Sequence, residues 1–258
     1  MASPARPLAL VTGASGGIGA ELARELAKGG HDLVLSARTV PAMQAIADEL
    51  KAHGANSTVI AADLAKPGAA AELTNSLQDR GLRIDVLVNN AGLGGVGRFD
   101  QMDPQRVSDM VMINVLALTE LTRLLVPAMV ARGRGRVMLV ASTASFQPGP
   151  RMAVYFATKS YVLSLGEALA YELRGTGVTL TTLCPGATAT NFFKAAGANE
   201  NLMPAMSASE VARVGYRALQ AGRRVVITGM MNRILALGGR YGPHWVTLPA
   251  TAALMSRR

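Results

Sequence analysis

Three residues with the chemistry of an acid–base catalyst fall within one short stretch: Ser142, Tyr155 and Lys159. Tyr155 and Lys159 stand at i and i+4, so in a helix they share one face, one turn apart. A phenol with its ordinary pKa of about 10 is a poor proton carrier at neutral pH, and a nearby ammonium lowers that pKa. Ser142 could then hold a substrate oxygen while Tyr155 moves the proton. Because Y-x-x-x-K is also common in amphipathic helices, the surrounding elements must decide whether this pair is catalytic.

The composition predicts a single domain over residues 1–258, located in the cytoplasm. The chain has 258 residues, half of them apolar, with no linker-like stretch and no internal repeat. Its one cysteine, Cys184, excludes an internal disulfide and fits a reducing compartment. We find neither a secretory signal nor an apolar run of the ~18 residues that would span a bilayer.

The net charge of +9 does not by itself identify a partner. The arginines are scattered and lack the spacing and aromatic interleaving of nucleic-acid-binding modules, so we predict no nucleic-acid partner. The three histidines stand far apart and show no ligand spacing, so we predict no metal site.

The beginning of the chain predicts a site for a dinucleotide. Leu8–Thr12 has the pattern of a short buried strand and Gly17–Lys28 that of an amphipathic helix, and the turn between them is rich in glycine. Glycines let the backbone approach a pyrophosphate, and the helix N-terminus offers N–H groups and the positive end of a dipole. In this context the turn predicts dinucleotide binding.

Arg38 favours NADP(H) over NAD(H). The second predicted strand, Asp32–Ser36, ends without the acidic residue that would hold the adenosine ribose hydroxyls. Arg38 follows instead, and a guanidinium pairs well with a 2′-phosphate, to which Ser15 could add a hydroxyl. The alternative is that Arg38 is a solvated residue at the start of the next helix.

Alternating strands and helices predict a doubly wound parallel α/β sheet of about seven strands, a Rossmann-type fold with helices on both faces. The later strands are predicted at Thr58–Ala62, Ile84–Val88, Arg136–Ala141, Val178–Leu183 and Arg224–Thr228. Ligands bind at the carboxyl ends of such strands. Asp63 and Leu64, Asn89 and Ser142 all fall there, although asparagine after a strand can equally close a turn.

Asn114 is predicted inside the helical stretch Pro104–Arg132, in an apolar setting. A buried asparagine must have its hydrogen bonds satisfied. It either makes a structural bond or holds a water near Lys159.

Together these motifs resemble the short-chain dehydrogenase/reductase family, in its single-domain branch. The resemblance covers about Leu8–Ile227 and rests on Thr12-Gly13-x-x-x-Gly17-x-Gly19, Asn89-Asn90-Ala91-Gly92, Asn114, Ser142, Tyr155-x-x-x-Lys159 and Pro185-Gly186 with Thr190. It implies reversible hydride transfer between NADP(H) and a carbonyl/alcohol pair, and a homodimer or homotetramer formed through the helices around 105–132 and 153–174.

The resemblance also implies a role for each matching residue. Tyr155 would be the general acid in reduction, Lys159 would hold the nicotinamide ribose and lower the pKa of Tyr155, Ser142 would orient the carbonyl, and Asn114 would anchor a proton-relay water. The cofactor would be bound by Gly13, Ser15, Gly17, Ile18, Gly19, Arg38, Asp63, Leu64, Asn89, Asn90, Ala91, Gly92, Pro185, Gly186 and Thr190.

The last part of the chain bears on the substrate. Residues 187–207 correspond to the substrate loop of the family and carry Phe192, Phe193, Leu202, Met203 and Met206, which predict an apolar pocket or ordinary packing of a short helix. Residues 229–258 extend beyond the last predicted strand with two apolar patches. They predict a lid or subunit contact, plain core packing, or contact with a membrane surface.

Two rival functions remain open at this point. A protein of this fold could bind NADP as a sensor or scaffold without turnover, although such a binder has no need of the proton donor Tyr155. An epimerase or dehydratase of nucleotide sugars shares the Tyr-x-x-x-Lys pair, but those relatives usually have a separate substrate domain, for which this chain has no room.

Overall fold

Seven parallel strands form the central sheet in the order β3-β2-β1-β4-β5-β6-β9. This arrangement is seen in a computed structural model that describes residues 6–197 and 205–256. The two residues Leu202 and Met203 of the predicted substrate pocket lie outside the described residues, and nothing is described of the Phe193 side chain. The predicted doubly wound sheet of about seven strands is confirmed.

The strands and helices alternate along the chain as the sequence predicts, with bounds that differ by a few residues. The strands are β1 Leu8–Thr12, β2 Asp32–Ala37, β3 Ser57–Ala61, β4 Val86–Asn89, β5 Gly135–Val140, β6 Val178–Cys184, β7 Thr188–Ala189, β8 Met206–Ser207 and β9 Val225–Ile227. The helices are α1 Gly17–Lys28, α2 Val40–Leu50, α3 Ala69–Asp79, α4 Pro104–Val111, α5 Leu118–Ala131, α6 Ala153–Glu172, α7 Phe192–Ala196, α8 Ala208–Gln220, α9 Met230–Tyr241 and α10 His244–Ser256.

Two apolar layers cover the two faces of the sheet. In β1, Leu10 belongs to one layer and its neighbours Ala9 and Val11 belong to the other, because successive side chains of a strand point to opposite faces. Helices α3, α5 and α6 pack on the first face, and α1, α2 and α8 on the second. A sheet covered on both faces leaves its carboxyl edge as the place where loops can build a site.

Helices α4 and α5 form one continuous helical stretch with a π-helical segment, Met112–Ala117, between them. The stretch Pro104–Ala131 is long and apolar enough by composition to cross a membrane, with a mean hydropathy of 1.5 in its most apolar window. Asn114, Glu120 and Arg123 interrupt this stretch, so it does not contradict the prediction that no apolar run reaches ~18 residues. In the fold, α5 packs on the sheet through the buried Leu118, Leu121 and Met129, which identifies it as a flanking helix of the domain.

Candidate active site

The glycine turn between β1 and α1 opens onto a cleft of about 920 Å³ at the carboxyl edge of the sheet. Gly13 and Gly17 have φ values of +66° and +55°, which glycine adopts at little cost. Gly16 has open space where a side chain would project, and no side chain caps the N-terminus of α1. The first amides of α1 therefore remain available to an anionic ligand, as a pyrophosphate requires.

Thr12 and Asn90 hold this turn against the loop after β4. The Asn90 side chain donates to the carbonyl of Thr12 at 2.9 Å and to that of Gly13 at 3.3 Å. The hydroxyl of Thr12 accepts from the backbone amides of Asn90 and Ala91, each at 3.1 Å. Two loops that follow neighbouring strands are thereby fixed relative to each other along one wall of the cleft.

Most of the predicted cofactor residues line this cleft. They are Gly13, Ser15, Gly17, Ile18, Arg38, Asp63, Leu64, Asn90, Ala91, Gly92, Tyr155, Lys159, Pro185, Gly186 and Thr190. Arg38 is exposed at the end beyond β2, and no ion pair to it is found among the residues that the structure describes. Its guanidinium therefore faces the cleft without pairing to a carboxylate of the described residues.

Two predicted cofactor residues do not line the cleft. Asn89 is buried, and its side-chain nitrogen donates to Thr122 Oγ1 at 2.9 Å and to the Leu118 carbonyl at 3.3 Å. It therefore fastens α5 to the sheet, and a ligand contact through its side chain is not supported. Gly19 is also buried: a Cβ there would overlap the carbonyl of Gly13, so this glycine permits close packing of α1 on the turn.

Ser142, Tyr155 and Lys159 converge on the same cleft from two elements. Ser142 follows β5, and its hydroxyl donates to the Pro185 carbonyl at 3.5 Å and accepts from the Ala144 amide at 3.1 Å. Tyr155 lies in the first turn of α6 and lines the same cleft. Lys159, one turn further, donates from Nζ to the carbonyl of Val140 at 2.8 Å, and this nitrogen lies 5.9 Å from the centroid of the Tyr155 ring. The three side chains thus have the arrangement that the sequence predicts.

Burial dominates the electrostatics of this group. Burial raises the pKa of Tyr155 to about 12, and the nearby Ser142 hydroxyl acts in the opposite direction. Burial lowers the pKa of Lys159 to about 8, partly offset by Cys184. In the protein alone, loss of water around the phenol is the largest effect on the pKa of Tyr155, and the Lys159 ammonium lies nearly 6 Å from the ring centroid. That Lys159 lowers this pKa stays a prediction.

Asn114 is fully buried within the π-helical segment. Its side-chain oxygen accepts from the Leu93 amide at 2.8 Å, and its nitrogen donates to the Leu93 carbonyl at 2.9 Å and to Thr158 Oγ1 at 3.0 Å. Asn114 therefore links the loop after β4 to α6, one residue from Lys159. These bonds support a positioning role, and the role of holding a water stays a prediction.

Helix α7 covers Tyr155 and is held in place by Arg106, a residue that sequence reasoning missed. The Phe192 ring lies 5.3 Å from the Tyr155 ring, centroid to centroid. Arg106 of α4 donates to the carbonyl of Ala195 at 2.6 Å and, from Nε, to that of Gly94 at 2.8 Å. An arginine in the first turn of a helix gives no sequence signal for this contact, because its acceptors are backbone carbonyls of distant segments.

The C-terminal helices form the remaining wall of the cleft. Ile234 and Leu235 of α9 and Val246 of α10 line it, and Gln147 donates to Thr251 of α10 at 3.1 Å. The same wall includes Asn232, which packs so closely on Gly186 that no Cβ would fit between them. Asn232 stands next to Arg233 in α9, so its sequence context did not single it out as a residue of the cleft.

Comparison with known proteins gives one consistent result. The model of the family described as short chain dehydrogenase matches residues 7–201. The ketoacyl reductase HetN of Nostoc is 36% identical over 69% of the chain, and the chain spans only 62% of that relative's length. The 1-deoxy-11-beta-hydroxypentalenate dehydrogenase of Streptomyces exfoliatus is 33% identical over 93% of this chain and 90% of its own.

Solved structures agree over nearly the whole chain. A short-chain dehydrogenase from Sphingobium yanoikuyae in complex with NADPH has a TM-score of 0.81 at 31% identity, covering 98% of this chain and 96% of its own. A bulky-bulky ketone specific alcohol dehydrogenase from Comamonas testosteroni has a TM-score of 0.78 at 31% identity, with 98% and 94% covered. An enzyme from Burkholderia phymatum in complex with NAD, 24% identical, shares the fold at a TM-score of 0.82 over 92% and 94%.

Proposed function

The chain belongs to the short-chain dehydrogenase family, and from this premise we propose that it is an NADP(H)-dependent oxidoreductase that reduces an apolar ketone or aldehyde to the alcohol. One observation carries the proposal: Ser142, Tyr155 and the buried Lys159 line the same cleft as the open glycine turn. A proton donor and a dinucleotide site in one cleft are what carbonyl reduction needs.

Tyr155 supplies the proton in this proposal. The raised pKa keeps the phenol protonated at neutral pH, which is the form that a general acid needs in the direction of reduction. Ser142 donates a hydrogen bond to the carbonyl oxygen and orients it toward Tyr155. Lys159, held by the Val140 carbonyl, stands one helical turn away, and its positive charge favours the phenolate that remains after the proton has moved.

The cofactor, when bound, supplies the hydride, and the residues of the cleft fit it. The glycine turn and the uncapped N-terminus of α1 suit the pyrophosphate. Arg38 suits a 2′-phosphate, and β2 ends without the carboxylate that would select NAD. These two observations, together with the NADPH complex of a relative, support NADP(H), while the NAD complex of another shows that the fold itself does not decide the preference.

The substrate end of the cleft supports an apolar carbonyl compound. Met152, Phe156, Phe192, Leu235 and Val246 line it, and apolar side chains of this size match an apolar ligand that buries most of its surface. The Comamonas relative, whose name specifies ketones with two bulky groups, points the same way. We therefore place bulky ketones first among the candidate substrates.

The remaining features of the proposal concern the whole molecule. We take residues 1–258 as one catalytic domain located in the cytoplasm. We also propose a homodimer or homotetramer through α4–α5 and α6, where Leu116, Leu124, Tyr161 and Tyr171 leave apolar surface exposed. Light scattering at micromolar concentration tests the assembly, and a monomer would remove it.

The test of the activity is NADPH consumption by the purified protein against ketones, aldehydes and 3-oxoacyl thioesters. Tyr155→Phe should lower turnover by at least about 10²–10⁴-fold, because it removes the proton donor, and should leave NADPH binding nearly unchanged. Full activity in Tyr155→Phe would exclude this tyrosine as the acid. Tight NADPH binding without turnover on any substrate would instead favour the rival function, an NADP sensor or scaffold.

A further inference from the structure

The outward side of the C-terminal helices carries a large apolar surface that the cleft does not use. We call it the outer face and define it by Met230, Met231, Leu237, Tyr241 and Trp245, which are 69%, 66%, 54%, 77% and 79% exposed. None of these five residues lines the cleft. Monomeric soluble proteins rarely leave so many large apolar side chains exposed together, so a partner is expected here.

Helical spacing places three side chains of the outer face in one stripe along α9. Met230, Leu237 and Tyr241 stand at i, i+7 and i+11, so they project from the same side of the helix. The buried residues of this helix, Ala236 and Gly239, lie on the opposite side. Helix α9 therefore packs on the protein through small residues and exposes its large apolar residues, the reverse of an ordinary surface helix.

The charge of the chain is concentrated in this part of the sequence. Residues 211–258 contain eight arginines and no lysine, aspartate or glutamate, so they supply eight of the nine net positive charges. Two of these arginines, Arg233 and Arg240, are exposed on α9 itself, seven residues apart along one edge of the stripe. An acidic side chain, Glu167, comes within 3.9 Å of Arg240, and both partners remain well exposed.

We propose that the outer face docks on an anionic lipid surface. Apolar side chains flanked by arginines, with a tryptophan and a tyrosine at the rim, match the requirements of a helix that lies in the headgroup region. Each basic residue near an anionic bilayer contributes roughly 1 kcal/mol of attraction. A second copy fits less well, because a two-fold contact through this face brings Arg233 and Arg240 of both copies together, and Glu167 is the one acidic side chain that the described residues place in an ion pair with either of them.

Docking has a consequence for the cleft. Ile234 and Leu235 of the same helix line it, so its open end comes to lie at the lipid surface. An apolar substrate can then enter from the bilayer. This consequence rests on the proposed function, whereas the docking itself does not.

The protein carries its own reporter for the test. Trp245 is the single tryptophan of the chain and belongs to the outer face, so its fluorescence reports on this surface without a label. The full chain is titrated with phosphatidylcholine vesicles that contain phosphatidylserine, and with pure phosphatidylcholine vesicles. We expect a blue shift and protection from acrylamide quenching with the anionic vesicles, both reduced at high salt, where the Debye length falls to ~3 Å.

A pair of charge-matched variants locates the contact. Met230→Glu/Leu237→Glu should weaken vesicle binding about a hundredfold, since each large apolar side chain contributes roughly tenfold when it is buried. Val40→Glu/Phe99→Glu, which places two glutamates at exposed apolar positions outside the C-terminal helices, should bind with a much smaller loss. Both variants should turn over a small water-soluble ketone like the wild type, which shows that they fold.

Three results would overturn the proposal. The Trp245 spectrum could stay unchanged with anionic vesicles. The two double variants could lose binding equally, which would make the effect one of net charge alone. The spectrum could instead shift with protein concentration in the absence of lipid, with the Met230→Glu/Leu237→Glu variant dissociating in light scattering, and this result would identify a second copy as the occupant.

Discussion

Lys159→Met should stabilise the protein at neutral pH while abolishing catalysis. Lys159 is only 4% exposed, and burial lowers the pKa of its ammonium from 10.5 to about 8. A positive charge at this position therefore destabilises the folded state, and the charge is retained because the site uses it. Methionine fills a similar volume without the charge, and it cannot contact the nicotinamide ribose or favour a phenolate.

The magnitude follows from the two pKa values. Between pH 8 and 10.5 the unfolded chain binds more protons at Lys159 than the folded protein does, so the free energy of unfolding rises with pH in this range. The penalty for charging Lys159 is complete once the pH has fallen through 8. At ~1.36 kcal/mol per pKa unit, charging Lys159 costs the folded state about 3 kcal/mol near pH 7 and about 1.4 kcal/mol near pH 9.5.

The hydrogen bond to Val140 offsets part of this gain. Lys159 Nζ donates to that carbonyl at 2.8 Å, and leaving a buried carbonyl without its donor costs about 1–3 kcal/mol. We therefore expect Lys159→Met to be more stable than the wild type by about 1 kcal/mol near pH 7 and less stable by about 1 kcal/mol near pH 9.5. The change between the two conditions, about 2 kcal/mol, does not depend on the value taken for the hydrogen bond.

Urea unfolding at both pH values, for variant and wild type, measures this change. Subtracting the two proteins removes most of the contribution of other groups, including Tyr155 and Cys184, whose pKa values are each raised by burial to about 12. Lys66→Met, which removes an exposed ammonium, is the control and should stay parallel to the wild type. If Lys159→Met also runs parallel, the ammonium of Lys159 is solvated in the folded protein and the reasoning fails.

Three further substitutions test other parts of the site. Arg38→Asp should raise the KM for NADPH at least tenfold, with little effect on the KM for NADH; equal effects on both cofactors would remove the 2′-phosphate contact. Gly19→Ala should weaken binding of both cofactors and lower the free energy of unfolding in urea by about 1–3 kcal/mol, because the new methyl overlaps the Gly13 carbonyl. Arg106→Gln should raise the KM for the ketone while leaving the KM for NADPH unchanged, because it breaks the hydrogen bond to the Ala195 carbonyl that holds α7. An equal rise in both KM values would show that Arg106 does not act specifically on the substrate side of the cleft.

Local patterns in the sequence were enough to predict the elements and the catalytic set. The run Leu8–Thr12, the glycine turn after it and the helix from Gly17 are short-range features, and each follows from residue types and spacing alone. Tyr155 and Lys159 share a helical face for the same reason. Order along the chain then placed the carboxyl ends of the strands at one edge, which brought Ser142 to the pair.

The two asparagines at the carboxyl end of β4 show where such reasoning ends. Asn89 and Asn90 are adjacent and of the same type, yet one points into the core toward Thr122 and the other holds the glycine turn. Successive side chains at the end of the strand point in opposite directions, and only the packed structure shows which direction faces the core. The same holds for Arg106, whose acceptors are backbone carbonyls of two distant segments.

The sequence by itself therefore determined the fold, the family and the candidate residues for the chemistry, because these depend on local spacing and on the order of elements. The tertiary structure alone decided the electrostatics of Tyr155 and Lys159 and the position of α9 and α10 beside the cleft. Both depend on how much water is excluded when distant segments pack together, and that quantity has no counterpart in the spacing of residues along the chain.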